Sequence, residues 1–188
     1  MLDITRNPLV ALYFACKGNF DRYGEVVLIS ADKGSIKYPQ SDTVSILASL
    51  PLFRHSMQKE FQHLAADDKI SDVEFNQGVA RLLHEVRLEK PAFMAEIKKS
   101  DILNSFIVHA YKNNARIVKQ DGAFILCGLL ENDSALNEFR YKDNNKTVVV
   151  LVKNKPKILD ELDRFSINHA ALFPEIECVS EFIKSRYA

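Results

Sequence analysis

The residue types that could do chemistry in this chain fall in two short clusters. The first is Arg116, Gln120, Asp121 and Gly122, with Lys112 shortly before them. A guanidinium presents a planar fork that clamps a phosphate or carboxylate through two hydrogen bonds. Gln120 stands just before the apolar run AFIL, where its amide could orient a ribose or a base with one donor and one acceptor. Gly122 would let the backbone approach a ligand closely. The plainer reading of these residues is a polar turn in which Gln and Asp satisfy backbone groups. The second cluster is Asp3, Thr5, Arg6 and Asn7, at the mouth of an expected helix. Helix N-termini present free amides and a positive dipole end, which suit phosphate. Its plainer reading is a helix cap made by Thr5 or Asn7, with Asp3 solvated.

Other candidates are weaker. His55, His63, His84, His109 and His169 are scattered, and His84-Glu85 is not followed by a histidine at zinc-helix spacing. No metal site is expected. His109 alternates with apolar residues in SFIVHAY, as a satisfied sheet histidine does. Arg140, Lys142, Lys146, Lys153, Lys155 and Lys157 form a basic stretch that could steer a phosphorylated ligand, although lysines also guard solvated edge strands. Glycine-rich phosphate loops, dinucleotide fingerprints and nucleophile elbows are all missing from the sequence.

Composition narrows the classes. The chain has 188 residues, 47% of them hydrophobic, enough for a sizeable core. Lys plus Arg and Asp plus Glu both total 25, so no net charge draws the chain to nucleic acid or to an anionic membrane. Cys16, Cys127 and Cys178 are odd in number and lie among apolar neighbours, which fits reduced, mostly buried thiols and a cytoplasmic protein. The apolar run from Pro8 to Cys16 is too short for a membrane span of roughly 18 residues or more. Acidic Asp3 and bulky Tyr13-Phe14 speak against a secretory leader.

These residues need elements to position them. Pro8 suits the first turn of a helix over LVALYFAC, which is apolar nearly all round and so belongs in a core, and Gly18 can close it. EVVLISA reads as a strand, Asp32-Lys33-Gly34 as a turn and IKYP as a short extended piece. Ser41 or Asp42 can cap a helix that buries Val44, Ile46, Leu47 and Leu50. Residues 54–90 read as a charged helical insertion in which Phe75, Val79, Leu82, Leu83 and Val86 recur at helical spacing, with Asp72 as the cap. SFIVHAY and AFILCGLL are strand-like, and the intervening KNNARIVKQDG is expected as a loop with one short extended piece. SALNEFRYKDNNKTVVVLVKN suggests two strands around Asp143-Asn144-Asn145, and helices follow Pro156 and Pro174. Strands and helices are partly segregated, so the expected class is α+β: a mixed or antiparallel sheet packed by several helices, in a single domain over 1–188.

At LDITRNPLVALYFA the sequence resembles the FRG family of bacterial domains, named for a Phe-x-Arg-Gly motif near their start. The family pattern of Leu-Asp-x-Thr followed by Asn-Pro-Leu-x-Ala-Leu-Tyr-Phe-Ala is met by Leu2, Asp3, Thr5 and Asn7 to Ala15. IKYPQSDTVSILASLP, RLLHEVRLEKPAF and RIVKQDGAFILCG, with Arg116, Gln120, Asp121, Gly122 and Phe124, are similar to its middle. INHAALFPEIECVSEFIKSRY, containing Leu172-Phe173-Pro174, is similar to its ending. The resemblance spans essentially the whole chain. It departs at the front: the Phe-x-Arg-Gly motif and a later His-Tyr-Gly-x-x-Thr-Arg stretch would precede Met1. An N-terminally truncated domain is therefore expected, with core surface left for a protein partner to cover.

The resemblance implies a bacterial, cytoplasmic protein of a phage-defence, stress or toxin-like context. By analogy with ADP-ribosyltransferase-like folds, Thr5 before the first helix and Gln120 before a later strand would be the catalytic pair. Asp3, Arg6, Asn7, Lys112, Arg116, Asp121 and Gly122 would hold a nucleotide ligand. NAD is the one cofactor the analogy admits, and none is certain. Because the family's arginine motif is missing, the expectation is an inactive or impaired chain. The competing expectation is a non-catalytic remnant or protein-interaction module.

Overall fold

The computed structural model describes residues 1–94, 96–129 and 135–187. In chain order the elements are β1 (Leu2–Thr5), α1 (Pro8–Cys16), β2 (Gly24–Val27), β3 (Ile36–Lys37), α2 (Asp42–Ser49), α3 (His55–Ala66), α4 (Asp72–Gly78) and α5 (Ala80–Glu89). They continue with α6 (Lys99–Leu103), β4 (Phe106–His109), α7 (Ala115–Gln120), β5 (Gly122–Leu126), α8 (Ala135–Phe139), β6 (Lys142–Asp143), β7 (Lys146–Thr147), β8 (Val149–Val152), α9 (Lys155–Arg164), α10 (His169–Leu172) and α11 (Ile176–Tyr187). Single 3-10 turns lie at Lys33–Ser35 and Leu50–Leu52. A four-stranded mixed sheet runs in the order β1-β5-β4-β3, with β3 parallel to β4. The class is α+β, and α3 to α5 occupy the helical stretch expected at 54–90.

The chain divides into two compact units interleaved in sequence. The first comprises Met1–Leu2, Ala31–His109 and Phe124–Phe139; the second comprises Asp3–Ser30, Ala110–Ala123 and Arg140–Ala188.

In the first unit the helical periodicity of the sequence becomes a core. Ile46 and Leu47 of α2, Phe61 of α3, Phe75 of α4, and Leu82 and Val86 of α5 are buried together with Phe93, Ile97 and Ile102. Ser71, not Asp72, caps α4: its hydroxyl accepts from Glu74 N while the Glu74 carboxylate accepts from Ser71 N at 2.9 Å. A serine with Glu three residues on satisfies two orphan amides at once, which Asp72 cannot do from inside the helix. That bonding also holds the Glu74 carboxyl below its usual range. At Gly78, the last residue of α4, a Cβ would lie 2.6 Å from the Leu64 side chain, so glycine lets α4 pack closely against α3. Asn76 joins α4 to the stretch before α6, accepting from Ile97 N at 3.0 Å and donating to Ile97 O at 3.2 Å.

In the second unit α1, α9 and α10 enclose Val10, Tyr13, Leu162, Leu172 and Phe173. The uniformly apolar α1 is central on one face only: Val10, Tyr13 and Cys16 are buried, whereas Leu9 and Phe14 stay about 40% exposed. β2 and β8 form a two-stranded antiparallel sheet, with Gly24 opposite Val152. Gly24 admits the close approach of α1, since a Cβ would fall 2.2 Å from Ala15 O. Lys155 is buried, and its ammonium donates to Gly18 O and Asn19 O just past the end of α1, at 3.3 and 3.1 Å. This supplies charge-assisted partners beyond the helix C-terminus.

Two stretches differ from the sequence expectation. Residues 115–120, expected as loop with an extended piece, form α7. Asn114 caps it by accepting from Arg116 N at 2.8 Å, and Ala, Arg, Lys and Gln outweigh the β-branched pair Ile117-Val118. Ala135–Phe139, expected within a strand, is helical; Ala, Leu and Glu favour that state, and Phe139 is buried. The turn at Asn144-Asn145 is as expected. Both residues have positive φ, 49° and 62°, which asparagine tolerates between paired β6 and β7.

Candidate functional site

The two clusters singled out in the sequence meet in the second unit. β1 delivers Thr5 to the start of α1, and the end of α7 delivers Gln120 and Asp121 to the start of β5. The Thr5 hydroxyl donates to Gln120 O at 2.7 Å and accepts from Asn7 N at 3.0 Å. Arg6 N donates to Asp121 O at 3.1 Å, and the Arg6 guanidinium donates to the Asp121 carboxylate at 2.6 Å. Lys112 lies 3.7 Å from the same carboxylate. The Gln120 side chain donates in turn to Leu172 O at 3.0 Å, tying α7 to α10.

Each member has a local reason for its place. Asn7 caps α1 by accepting from Leu9 N at 2.9 Å, with Pro8 in the first turn where its missing N–H costs nothing. Asp121 closes α7 in the left-handed region, φ 46° and ψ 47°, a conformation Asp visits more readily than most residues. The Arg6 hydrogen bond, helped by the Arg6 and Lys112 charges, holds the Asp121 carboxyl below its usual range against a smaller opposing effect of burial. A Cβ on Gly122 would meet Ile117 only at 3.7 Å, ordinary contact, so packing does not demand glycine there. Asp3 is exposed on β1.

Arg116 is apart from this network. Its guanidinium lies over the Phe173 ring, 4.7 Å from the centroid, and Lys17 Nζ approaches the same ring at 4.5 Å. Phe14 meets Phe173 edge-on, and the His169 ring is 4.8 Å away, within 3.5 Å of the Tyr13 hydroxyl. Burial raises the Tyr13 pKa; it also raises that of Cys16, against the opposing Lys155 charge. Sequence reasoning missed Lys17, Leu172, Phe173 and Lys155 as partners of these residues. Leu172-Phe173-Pro174 entered only through the family ending, and nothing local in the sequence pairs it with Gln120 or Arg116.

The arrangement binds its own chain more than it faces solvent. The Thr5 hydroxyl, the Gln120 amide nitrogen, the Asn7 amide oxygen and the Asp121 carboxylate all have protein partners at hydrogen-bonding distance. An open groove of about 430 Å³ lies elsewhere, in the first unit, lined by Asp72, Val73, Asn76, Gln77, Ala80 and Glu96. Of the basic stretch, Lys142, Lys146 and Lys153 are exposed, Lys157 pairs with Glu161 at 3.9 Å, and Lys155 is buried rather than solvated. Among the described residues no cluster of His, Cys, Asp and Glu has the makings of a metal site, and no helix is long and apolar enough to cross a membrane. Comparison with family models, with curated proteins and with solved structures finds no match to this chain.

Proposed function

We propose that this chain is a non-catalytic binding module of FRG-like kinship, acting through protein contacts rather than through ADP-ribosyl transfer. The observation that carries the reading is the bonding of Thr5 and Gln120. A catalytic pair holding NAD would keep the hydroxyl and the amide free for ribose oxygens. Here the hydroxyl is given to Gln120 O and one of the two Gln120 amide N–H groups to Leu172 O, which fixes the orientation of the amide. Freeing either would leave a backbone carbonyl short of a donor, a cost of about 1–3 kcal/mol where the site is buried. Electrostatic stabilisation of an oxocarbenium-like state would also need preorganised groups aimed at the substrate, and these are aimed at the protein.

A second reading rests on Arg116 and Lys112. Both are exposed on or just before α7, and Arg116 has no carboxylate among its described partners. They are the residues best placed to meet a nucleotide phosphate without breaking the Thr5–Gln120–Leu172 connection. The two readings separate in one titration. NAD added to the purified chain should leave the melting temperature unchanged and release no nicotinamide. A rise that grows with the logarithm of NAD concentration, abolished by Arg116→Gln, would replace the first reading with the second.

A further inference from the structure

The open groove of about 430 Å³ in the first unit is built from α4, the start of α5 and the stretch before α6. Asp72 and Asn76 lie one turn apart on α4, Val73 and Gln77 repeat that spacing beside them, and Ala80 opens α5. The Asn76 amide fixes the remaining wall, accepting from Ile97 N at 3.0 Å and donating to Ile97 O at 3.2 Å. Glu96, the residue before that clasp, thereby lines the groove from a second element. The charge of the lining has one sign: two of its six residues are carboxylates and none is a cation. Neither Asp72 nor Glu96 has an ion-pair partner among the described residues. Lys99, which follows on α6, is committed to Asp67 O and Ile70 O, at 2.7 Å each. Asp72 has a local use, since an acid in the first turn complements the positive end of α4. Glu96 lies outside every helix and has no such use.

The lining chemistry selects the occupant. A metal ion would need more oxygen ligands than two carboxylates supply, and the Asn76 oxygen is already given to Ile97 N. An organic cation on an aliphatic stem meets the groove on both counts. The carboxylates take its charge, while Val73, 68% exposed, and Ala80 lie against its stem. A guanidinium brings five donors in a planar fork, enough for two carboxylates and the Gln77 amide oxygen together. An open groove would leave much of a free small molecule in water, whereas it can take one side chain from a partner whose backbone stays outside. We propose that this groove receives an arginine side chain presented by a partner protein. The inference rests on the binding-module reading and names what the partner must present. No group is transferred and no cofactor takes part.

The probe is the synthetic tripeptide Val-Arg-Val, capped at both ends and titrated into the nitrogen-15-labelled full chain while amide chemical shifts are followed. Saturable shifts are expected, centred on the amides of α4, Ala80 and the Glu96–Ile97 stretch. The counterpart with citrulline in place of arginine keeps the shape and loses the charge, and should bind at least about tenfold more weakly. Glu96→Gln should weaken the arginine peptide about tenfold without lowering the melting temperature, because that side chain is exposed and outside every helix. Asp68→Asn, an exposed acid that does not line the groove, should leave binding unchanged. Several results would overturn the proposal: no saturable shifts, shifts confined to other parts of the chain, or equal binding of the citrulline peptide. Equal weakening by Asp68→Asn and Glu96→Gln would do so too, by assigning the attraction to the general surface field. Nicotinamide release from NAD bears on the binding-module reading alone, so the two can fail separately.

Discussion

The two units solve the same problem with different forces. In the first, thirteen described apolar residues from α2 through β4 form one buried cluster, and polar contacts trim its edges. In the second, the described cluster has five buried residues, and the chain is held as much by hydrogen bonds to backbone carbonyls. Thr5, Gln120 and Lys155 reach carbonyls 115, 52 and 136 residues away in sequence, respectively. Apolar burial is non-directional and tolerates adjustment, whereas each of these bonds depends on one donor and one acceptor. Thr5, Arg6, Gln120 and Asp121, four of the residues that look like chemistry in the sequence, are ones the second unit uses to hold itself together.

Substitutions can break that contrast, beginning with the largest effect. Phe75→Ala, fully buried in the first unit, should cost about 3–5 kcal/mol in denaturant unfolding through lost burial and the cavity left behind. Lys155→Met keeps most of the side-chain volume but leaves Gly18 O and Asn19 O without their charged donor; about 1–3 kcal/mol is expected. If Lys155→Met instead proved neutral or stabilising, apolar packing would rule the second unit too. Thr5→Val removes the donor to Gln120 O and the acceptor for Asn7 N, and should cost about 1–2 kcal/mol.

The smallest effect lies at Asp121 and depends on pH. Its folded pKa is depressed, first by the Arg6 hydrogen bond, so the stability it contributes is fully present above the ordinary carboxylate range. That stability is lost as pH falls through the lowered folded value. The pair is partly exposed, with side-chain exposures of 48% for Arg6 and 32% for Asp121, so screening limits it to about 1 kcal/mol or less. Asp121→Asn keeps a residue that tolerates the left-handed conformation and removes the charge. Its unfolding free energy should fall slightly at pH 7 and converge with that of the unaltered chain toward pH 2. Equal losses at both pH values would assign the effect to backbone geometry rather than to the ion pair.

The same contrast explains what the sequence made legible. In the first unit Phe75, Val79, Leu82, Leu83 and Val86 announce a buried face by spacing alone; Leu83 is half-buried and the other four are buried. In the second, α7 was misread because Ile117-Val118 suggested extension while the deciding feature was one cap, the Asn114 side chain on Arg116 N. The clusters around Thr5 and Gln120 are both legible in the sequence, as is the plainer reading of a cap and of polar groups satisfying backbone; which carbonyl lies opposite is not, because no periodicity encodes a bond from Gln120 to Leu172.

The central claim is that Gln120 is a structural residue, and one paired measurement on Gln120→Leu tests it most directly. Unfolding free energy and nicotinamide release from NAD would be determined on the variant and the unaltered chain side by side. The account predicts a loss of about 1 kcal/mol in stability, from the Leu172 carbonyl left without its donor, and no nicotinamide release from either protein. Turnover by the unaltered chain, abolished in the variant with stability unchanged, would contradict it.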